Sequence, residues 1–216
     1  MPLGRHGRKG EEPAGPDAVS REVIRARGLG KRYGDKRVLE GLDLDLERGG
    51  FLLVTGPNGS GKTTLLRLCA GLATPTAGSL DINAPREAIG FAGHDPLVYR
   101  ELTAIENLDL YGRLYRVSER RERIGMLLER FGLWQARNER AGSFSRGMQQ
   151  RLSLCRALLH EPSLFVLDEP YSGLDDAGVD LLDRELADLR AGATFVVSTH
   201  DPARVEPLAS SLLAFA

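Results

Sequence analysis

The hydrophobic pattern changes from alternating to continuous within the N-terminal part of the chain. Apolar residues alternate with polar ones over positions 23–26 and 42–46, as in strands with one buried face. Positions 51–55 form a continuous apolar run that ends in Gly-Pro-Asn-Gly, a pattern typical of a buried strand followed by a turn. Beyond this turn the pattern predicts a helix over 62–71 and short strands over 79–83 and 88–92.

Helical periodicity dominates the middle of the chain, and apolar strands return near its end. Apolar residues at positions 124, 127, 128 and 131 share one helix face, within a segment predicted to be helical over 103–131. Continuous apolar runs then predict buried strands that alternate with helices. The predicted helices cover 146–160 and 175–190, and the predicted strands cover 163–167, 194–198 and 212–215.

This alternation predicts an α/β fold with a mainly parallel sheet as its core. Antiparallel strands come first, and a helical subdomain at about residues 95–160 interrupts the alternation. Residues 22–216 are expected to form one domain. Residues 1–21 are predicted to be a disordered tail, because they are rich in Gly and Pro and lack apolar periodicity.

The composition narrows the class of protein. Of the 216 residues, 42% are hydrophobic and 27% are charged, which excludes a mainly disordered, collagen-like or coiled-coil protein. The chain has no run of 18 apolar residues, so no membrane span is predicted. The formal net charge of -1 gives no reason to expect a nucleic-acid partner. Cys69 and Cys155 have aliphatic neighbours and are predicted to be reduced and buried, as in a cytoplasmic protein.

A phosphate-binding loop is predicted directly after the apolar run at 51–55. Residues 56–63, the phosphate loop, match the pattern G-x-x-x-x-G-K-[ST] between a strand and a helix. Glycines let backbone N–H groups approach phosphate oxygens, while the lysine supplies a compact positive charge and the Thr63 hydroxyl suits Mg²⁺. The nucleotide-binding residues predicted here are Gly56, Pro57, Asn58, Gly59, Ser60, Gly61, Lys62, Thr63 and Thr64.

Two carboxylates follow the predicted strand at 163–167. Asp168 is expected to hold Mg²⁺ together with Thr63, because ligands lie at the carboxyl ends of strands in a parallel sheet. Glu169 is expected to point away from Asp168, as strand neighbours do, and to orient and deprotonate an attacking water. His200 follows the strand at 194–198 and is expected to reach the γ-phosphate. Lys62, Glu169 and His200 are the predicted catalytic residues.

Taken with residues 144–151, these motifs resemble those of the ATP-binding cassette (ABC) ATPases over about residues 22–216. Phe-Ser-Arg-Gly-Met-Gln-Gln-Arg at 144–151 is similar to the family signature, commonly Leu-Ser-Gly-Gly-Gln, and lies just ahead of the Asp168 strand. Residues 172–175 look like the D-loop of the family, and His200 looks like its switch histidine. Tyr33 falls where the family places an aromatic residue that stacks on adenine.

The resemblance implies an ATPase that forms a head-to-tail dimer with two ATP molecules sandwiched between its subunits. In that dimer, Ser145 and the backbone of Gly147 would contact the γ-phosphate bound by the partner, at a helix N-terminus. Asp175 would communicate across the interface. The resemblance also implies Mg²⁺ as cofactor, integral membrane transporter subunits as partners, and a peripheral position at the cytoplasmic face of the cell membrane.

Three positions depart from the common family pattern. Arg146 and Met148 replace Gly and Gln in the signature, whereas Gly147 is kept, so an active site is expected. His94 stands where most members have a Gln that touches Mg²⁺ and the attacking water. This histidine, residues 101–108 and the signature together look like the ATP-binding subunit of the heme exporter of cytochrome c maturation. Heme export is therefore a role that the resemblance implies.

Three alternatives to that role remain open. The same motifs occur in other exporter ATPases, so the cargo could differ. A second class comprises soluble ABC ATPases that act on ribosomes or DNA, which usually carry two cassettes or long coiled-coil arms. This chain has one cassette and no heptad arm. A third class, the P-loop nucleotide kinases, lacks a signature between its two phosphate-site motifs.

Overall fold

The computed structural model describes residues 21–216, and these residues contain eight β-strands. The predicted tail at 1–21 therefore lies outside the described residues except for Arg21. The strands are β1 (Glu22–Tyr33), β2 (Lys36–Glu47), β3 (Phe51–Thr55), β4 (Ala77–Ile82), β5 (Ile89–Ala92), β6 (Leu164–Asp168), β7 (Thr194–Ser198) and β8 (Ser211–Ala214).

Six α-helices complete the described part of the chain, together with short 3-10 helices at Arg86–Ala88, Ala141–Ser143 and Glu206–Leu208. None of the helices within 21–216 is long and apolar enough to cross a bilayer. The α-helices are α1 (Lys62–Cys69), α2 (Ala104–Leu114), α3 (Arg120–Arg130), α4 (Arg146–Leu158), α5 (Asp176–Leu189) and α6 (Pro202–Val205).

The strands form two sheets, as the alternating and continuous hydrophobic patterns predict. β1 pairs with β2 and β4 in an antiparallel sheet of order β2-β1-β4. The other five strands form a parallel sheet of order β5-β6-β7-β3-β8. The predicted α/β fold with a parallel core and N-terminal antiparallel strands is thus confirmed.

The parallel sheet separates two apolar cores. Phe51 and Leu53 of β3 pack in the core shared with α2, α3, α4 and α5. Their neighbours Leu52 and Val54 pack on the other face, with α1 and the antiparallel sheet. Cys69 and Cys155 are free and buried, one in each core, as predicted. Burial on both faces explains why these strands read as continuous apolar runs.

The segment predicted to be helical over 103–131 is helical over 104–130 except at residues 115–119, which join α2 to α3. Arg116 and Glu119 in the connection have positive φ values of 54° and 48°. The two helices pack side by side, and the stem of Arg120 crosses α2 directly over Gly112. Asp109 of α2 accepts hydrogen bonds from Arg113 and Arg120, at 2.8 and 2.6 Å. Tertiary packing therefore overrides the helical periodicity at this point.

The strand order determines where the chemistry lies. β6, β7 and β3 are neighbours in the parallel sheet, so their carboxyl ends meet at one edge. Asp168 ends β6, Ser198 ends β7, and the phosphate loop follows Thr55 at the end of β3. α1 begins at Lys62, immediately after Gly61 in a left-handed conformation with φ of 112°. The two phosphate-site motifs, far apart in sequence, are thereby brought to one edge of the sheet.

Gly78 and Gly49 allow the cost of a left-handed backbone to be separated from the cost of a steric clash with neighbouring atoms. Both have left-handed φ values, 70° and 73°, but a Cβ on Gly78 would lie closer than 3.0 Å to the carbonyls of Arg27 and Gly28. A Cβ on Gly49 meets nothing within 4 Å. We expect Gly49→Ala to lower the free energy of unfolding by about 1 kcal/mol and Gly78→Ala by about 3 kcal/mol. Urea denaturation measures both, and equal losses would contradict a steric role for Gly78.

Candidate functional site

A pocket of about 500 Å³ opens at the carboxyl edge where β3, β6 and β7 meet. It brings together residues of the phosphate loop, the two predicted carboxylates, the predicted switch histidine and the predicted adenine-stacking tyrosine. Its lining residues are Tyr33, Lys36, Val38, Asn58, Gly59, Gly61, Lys62, Thr63, Thr64, His94, Asp168, Glu169 and His200.

The phosphate loop is held by its own lysine and by the strands around it. Lys62 is only 7% exposed, and its Nζ donates to the carbonyls of Gly56 and Pro57, at 2.7 and 3.1 Å. A Cβ on Gly56 would lie 2.8 Å from the Cβ of Phe215, and one on Gly61 would lie 2.8 Å from a methyl group of Leu39. These two glycines are therefore needed for packing as well as for access to phosphate oxygens.

Asp168 has one satisfied oxygen and one free oxygen. The Ser198 hydroxyl donates to its Oδ1 at 2.6 Å, which orients the carboxyl group. Oδ2 is buried and accepts no hydrogen bond within the described residues. A buried carboxylate oxygen without a donor suits a cation. Thr63 lines the same pocket, so the residues present fit the predicted Mg²⁺ site.

Glu169 and His200 contact each other at the same edge. The backbone N–H of His200 donates to Glu169 Oε2 at 3.0 Å, and His200 Nε2 lies 3.2 Å from Oε1. Burial raises the pKa of Glu169 above its usual range, and the nearby His200 and Lys62 oppose this shift. A carboxylate of raised pKa beside a phosphate loop can act as a general base.

The sequence suggested that strand alternation sets the direction of the Glu169 side chain. The structure shows that it does not, because Glu169 lies beyond the end of the strand. β6 ends at Asp168, and Glu169 has a left-handed backbone with φ of 53°. Its N–H is held by the carbonyl and the hydroxyl of Ser198, both at 3.1 Å. The strained conformation is thus maintained by β7.

The signature and D-loop residues lie outside this pocket. Ser145 and Asp175 act as helix N-caps: the Ser145 hydroxyl accepts from Met148 N–H at 3.2 Å, and Asp175 accepts from Gly178 N–H at 3.0 Å. A Cβ on Gly147 would lie 2.5 Å from the Gly173 carbonyl oxygen. The close approach that requires glycine at 147 therefore occurs within this chain, between the signature and the D-loop.

Ser198 is a site residue that the sequence reasoning missed. Its hydroxyl binds Asp168 and its main chain holds Glu169, so it orients both carboxylates. The available signal was a polar residue at the end of an otherwise apolar strand, next to Thr199 and His200. Lys36 and Val38 were also missed, because nothing in an exposed hairpin strand indicates that it borders a nucleotide pocket.

The model of one protein family, described as ABC transporter, matches residues 39–172, which is more than half of the chain. The chain belongs to the ABC transporter family. It therefore carries an ABC ATPase domain, and the matched region extends from β2 to the D-loop.

Curated ABC transporter relatives include two bacterial ATP-binding proteins. The uncharacterized ABC transporter ATP-binding protein YdbJ of Bacillus subtilis is 35% identical over 90% of this chain and 67% of its own length. The daunorubicin resistance ATP-binding protein DrrA3 of Streptomyces coeruleorubidus is 37% identical over 88% of this chain and 64% of its own length. The chain thus spans about two thirds of the length of these two relatives.

A solved ABC structure has the same fold over most of the chain. The ATP-binding cassette MJ0796, in a dimeric post-hydrolysis state bound to ADP and Pi, superposes with a TM-score of 0.80 at 28% identity. The match covers 89% of this chain and 94% of that chain. The fold described above is thus that of an ABC ATPase.

Proposed function

We propose that this chain is the ATP-hydrolysing subunit of an ABC transporter, acting through separate membrane subunits. The observation that carries this proposal is the meeting of Lys62, Asp168, Glu169 and His200 in one pocket. Family membership supports it.

The predicted site residues that line the pocket are proposed to bind ATP and to promote its hydrolysis in the following way. The phosphate loop binds the β- and γ-phosphates through its N–H groups and Lys62. Thr63 and Asp168 would hold Mg²⁺, which supplies positive charge against the phosphate oxygens. Glu169 accepts a proton from the attacking water, and His200 orients Glu169 through the two contacts between them. Tyr33, which is 48% exposed at the mouth of the pocket, offers its ring to the adenine.

Hydrolysis is proposed to take place in a head-to-tail dimer. Ser145 and Gly147 lie outside the pocket of their own chain, so they are available to the γ-phosphate held by a second copy. Asp175 follows Gly173, which contacts the signature, and is proposed to link the two sites. The dimeric state of MJ0796 supports this arrangement. Formation of such a dimer with ATP and its release after hydrolysis would move membrane partners at the cytoplasmic face.

Heme export remains the cargo prediction that the sequence motifs imply. The name of the DrrA3 relative refers instead to daunorubicin resistance. The cargo prediction is tested on the assembled transporter.

The decisive experiment is purification of a tagged chain from the membranes of its own cells in mild detergent. We expect stoichiometric polytopic membrane subunits and ATP hydrolysis that is lost with Lys62→Ala. Reconstitution into vesicles then tests the cargo, and ATP-driven heme movement is the outcome that supports heme export.

Other outcomes would change the assignment. Recovery with ribosomes or DNA and without membrane subunits would favour the soluble class of ABC ATPases. A complex that hydrolyses ATP and moves another compound but not heme would refute heme export alone. Arg184→Ala serves as a control for the loss of a positive charge outside the pocket, because the exposed Arg184 guanidinium donates within its own helix, to the carbonyl of Asp180.

A further inference from the structure

Arg146, the first residue of α4, contacts both the nucleotide pocket and the D-loop of its own chain. Its Nη2 lies 3.2 Å from Nε2 of His94 and 3.1 Å from the hydroxyl of Ser172. Its aliphatic stem packs on Gly173, where an added Cβ would lie 2.9 Å from Arg146 Cγ. The Arg146 side chain thus joins α4 to two other segments, the one that carries His94 and the D-loop.

The chemistry of the two side chains determines the form of His94. A guanidinium group has only donors, so Arg146 can bond Nε2 only if that nitrogen carries a lone pair. A neutral imidazole with an acceptor at Nε2 carries its proton on Nδ1. His94 therefore offers Nδ1–H as its remaining polar group, in a residue that lines the nucleotide pocket.

A second arginine of α4 holds the segment that carries His94. Arg156 is 9% exposed and donates to the carbonyls of Phe91 and Leu97, at 2.9 and 3.0 Å. Both ends of this segment are therefore attached to the helix that begins in the signature. Since Arg146 binds the His94 side chain between these ends, α4 and His94 are coupled at three points.

We propose that Arg146 is a positioning residue for ATP hydrolysis, which holds His94 as the neutral Nδ1-protonated imidazole and couples it to the D-loop and the signature helix. This inference rests on the proposed function. In the proposed dimer the signature serves the ATP of the second copy, whereas His94 lines the pocket of its own chain. Arg146 then connects the two ATP sites through a single side chain.

The contact is open to solvent, and this limits the expected effect. His94 and Arg146 are both exposed in the single chain. We expect Arg146→Met, which keeps the stem on Gly173 but removes the donors, to lower kcat about fivefold at unchanged KM for ATP. Arg184→Met is the matched control, because the Arg184 guanidinium donates within its own helix, to the carbonyl of Asp180.

A double-mutant cycle on the full chain separates positioning from packing. If Arg146 acts through His94, the variant with both Arg146→Met and His94→Ala has the kcat of His94→Ala alone, because alanine leaves Arg146 no acceptor at position 94. Multiplying effects would overturn the inference, because they would mean that Arg146 acts independently of His94.

Nitrogen NMR of the ¹⁵N-histidine-labelled chain gives a readout that does not depend on activity. The His94 signals are assigned by their loss in His94→Gln. Near pH 8 we expect the pattern of an Nδ1–H imidazole in the wild-type chain and its loss in Arg146→Met. An Nε2–H pattern, or no change in Arg146→Met, would overturn the inference. A wild-type chain without Lys62-dependent ATP hydrolysis would refute the proposed function instead, and the NMR comparison would still test the contact.

Discussion

Replacement of Glu169 by glutamine is expected to slow ATP hydrolysis by roughly a hundredfold to ten-thousandfold, the usual contribution of a positioned general base. In the wild-type chain, the backbone nitrogen of His200 lies 3.0 Å from Glu169 Oε2. Glutamine keeps an oxygen that can accept this hydrogen bond, but it cannot take up the proton of the attacking water. ATP binding is expected to persist, because the phosphate loop and Asp168 are unchanged. The ATP-bound dimer should therefore accumulate, and size-exclusion chromatography with bound-nucleotide analysis measures it.

Glu161→Gln is the control for the substitution at Glu169. Glu161 has nearly the same backbone conformation, with φ of 52° against 53°, but it lies outside the nucleotide pocket. The Glu161→Gln variant should therefore retain wild-type turnover. Wild-type turnover in Glu169→Gln would show that another group is the base.

Replacement of Lys62 by alanine is expected to weaken ATP binding by about thirtyfold to a few thousandfold, since loss of a charge-assisted contact in a desolvated site costs about 2–5 kcal/mol. Its ammonium group is the cation inside the phosphate loop and also bonds the carbonyls of Gly56 and Pro57. The variant loses both the charge and this support of the loop. Isothermal titration with ATP in the presence of Mg²⁺ measures the change in Kd.

Two further lysine variants show whether the change in Kd of Lys62→Ala is specific to the ammonium group of Lys62. Lys36→Ala removes a cation that lines the same pocket from the exposed strand β2, and it should change Kd much less. Lys62→Arg keeps the charge but brings a planar guanidinium that does not fit the site of a compact ammonium, so it should also bind poorly. Retained ATP affinity in Lys62→Ala would refute the assignment of the phosphate loop.

Most of the architecture was predictable because burial leaves a direct trace in the hydrophobic pattern. β3, β6 and β7 are buried on both faces and appear as continuous apolar runs, whereas the half-exposed β1 and β2 show alternation. The break between α2 and α3 was not predictable, because it depends on Arg120 crossing over Gly112. Side-chain periodicity reports which face is buried and carries no record of where a helix must turn to pack on its neighbour.

The phosphate loop and the carboxylates were predictable because their chemistry requires particular residue types at fixed local spacing. The backbone conformation of Glu169 was not, because its φ of 53° depends on two contacts with Ser198 on another strand. The backbone of Gly147 was expected to contact the γ-phosphate bound by the partner. That Gly147 also lies close to the carbonyl of Gly173 inside the chain became apparent only from the fold.

The sequence by itself determined the fold class, the phosphate loop, the adjacent carboxylates and the resemblance to ABC ATPases, since these follow from local residue patterns. Only the tertiary structure decided how His94 and Arg146, 52 residues apart, meet, and how Ser198 orients Asp168. Contacts between distant segments depend on strand order and helix packing, which no local pattern contains. The departures from the family pattern at His94 and Arg146 were visible as separate changes, and the fold shows them to be one interaction.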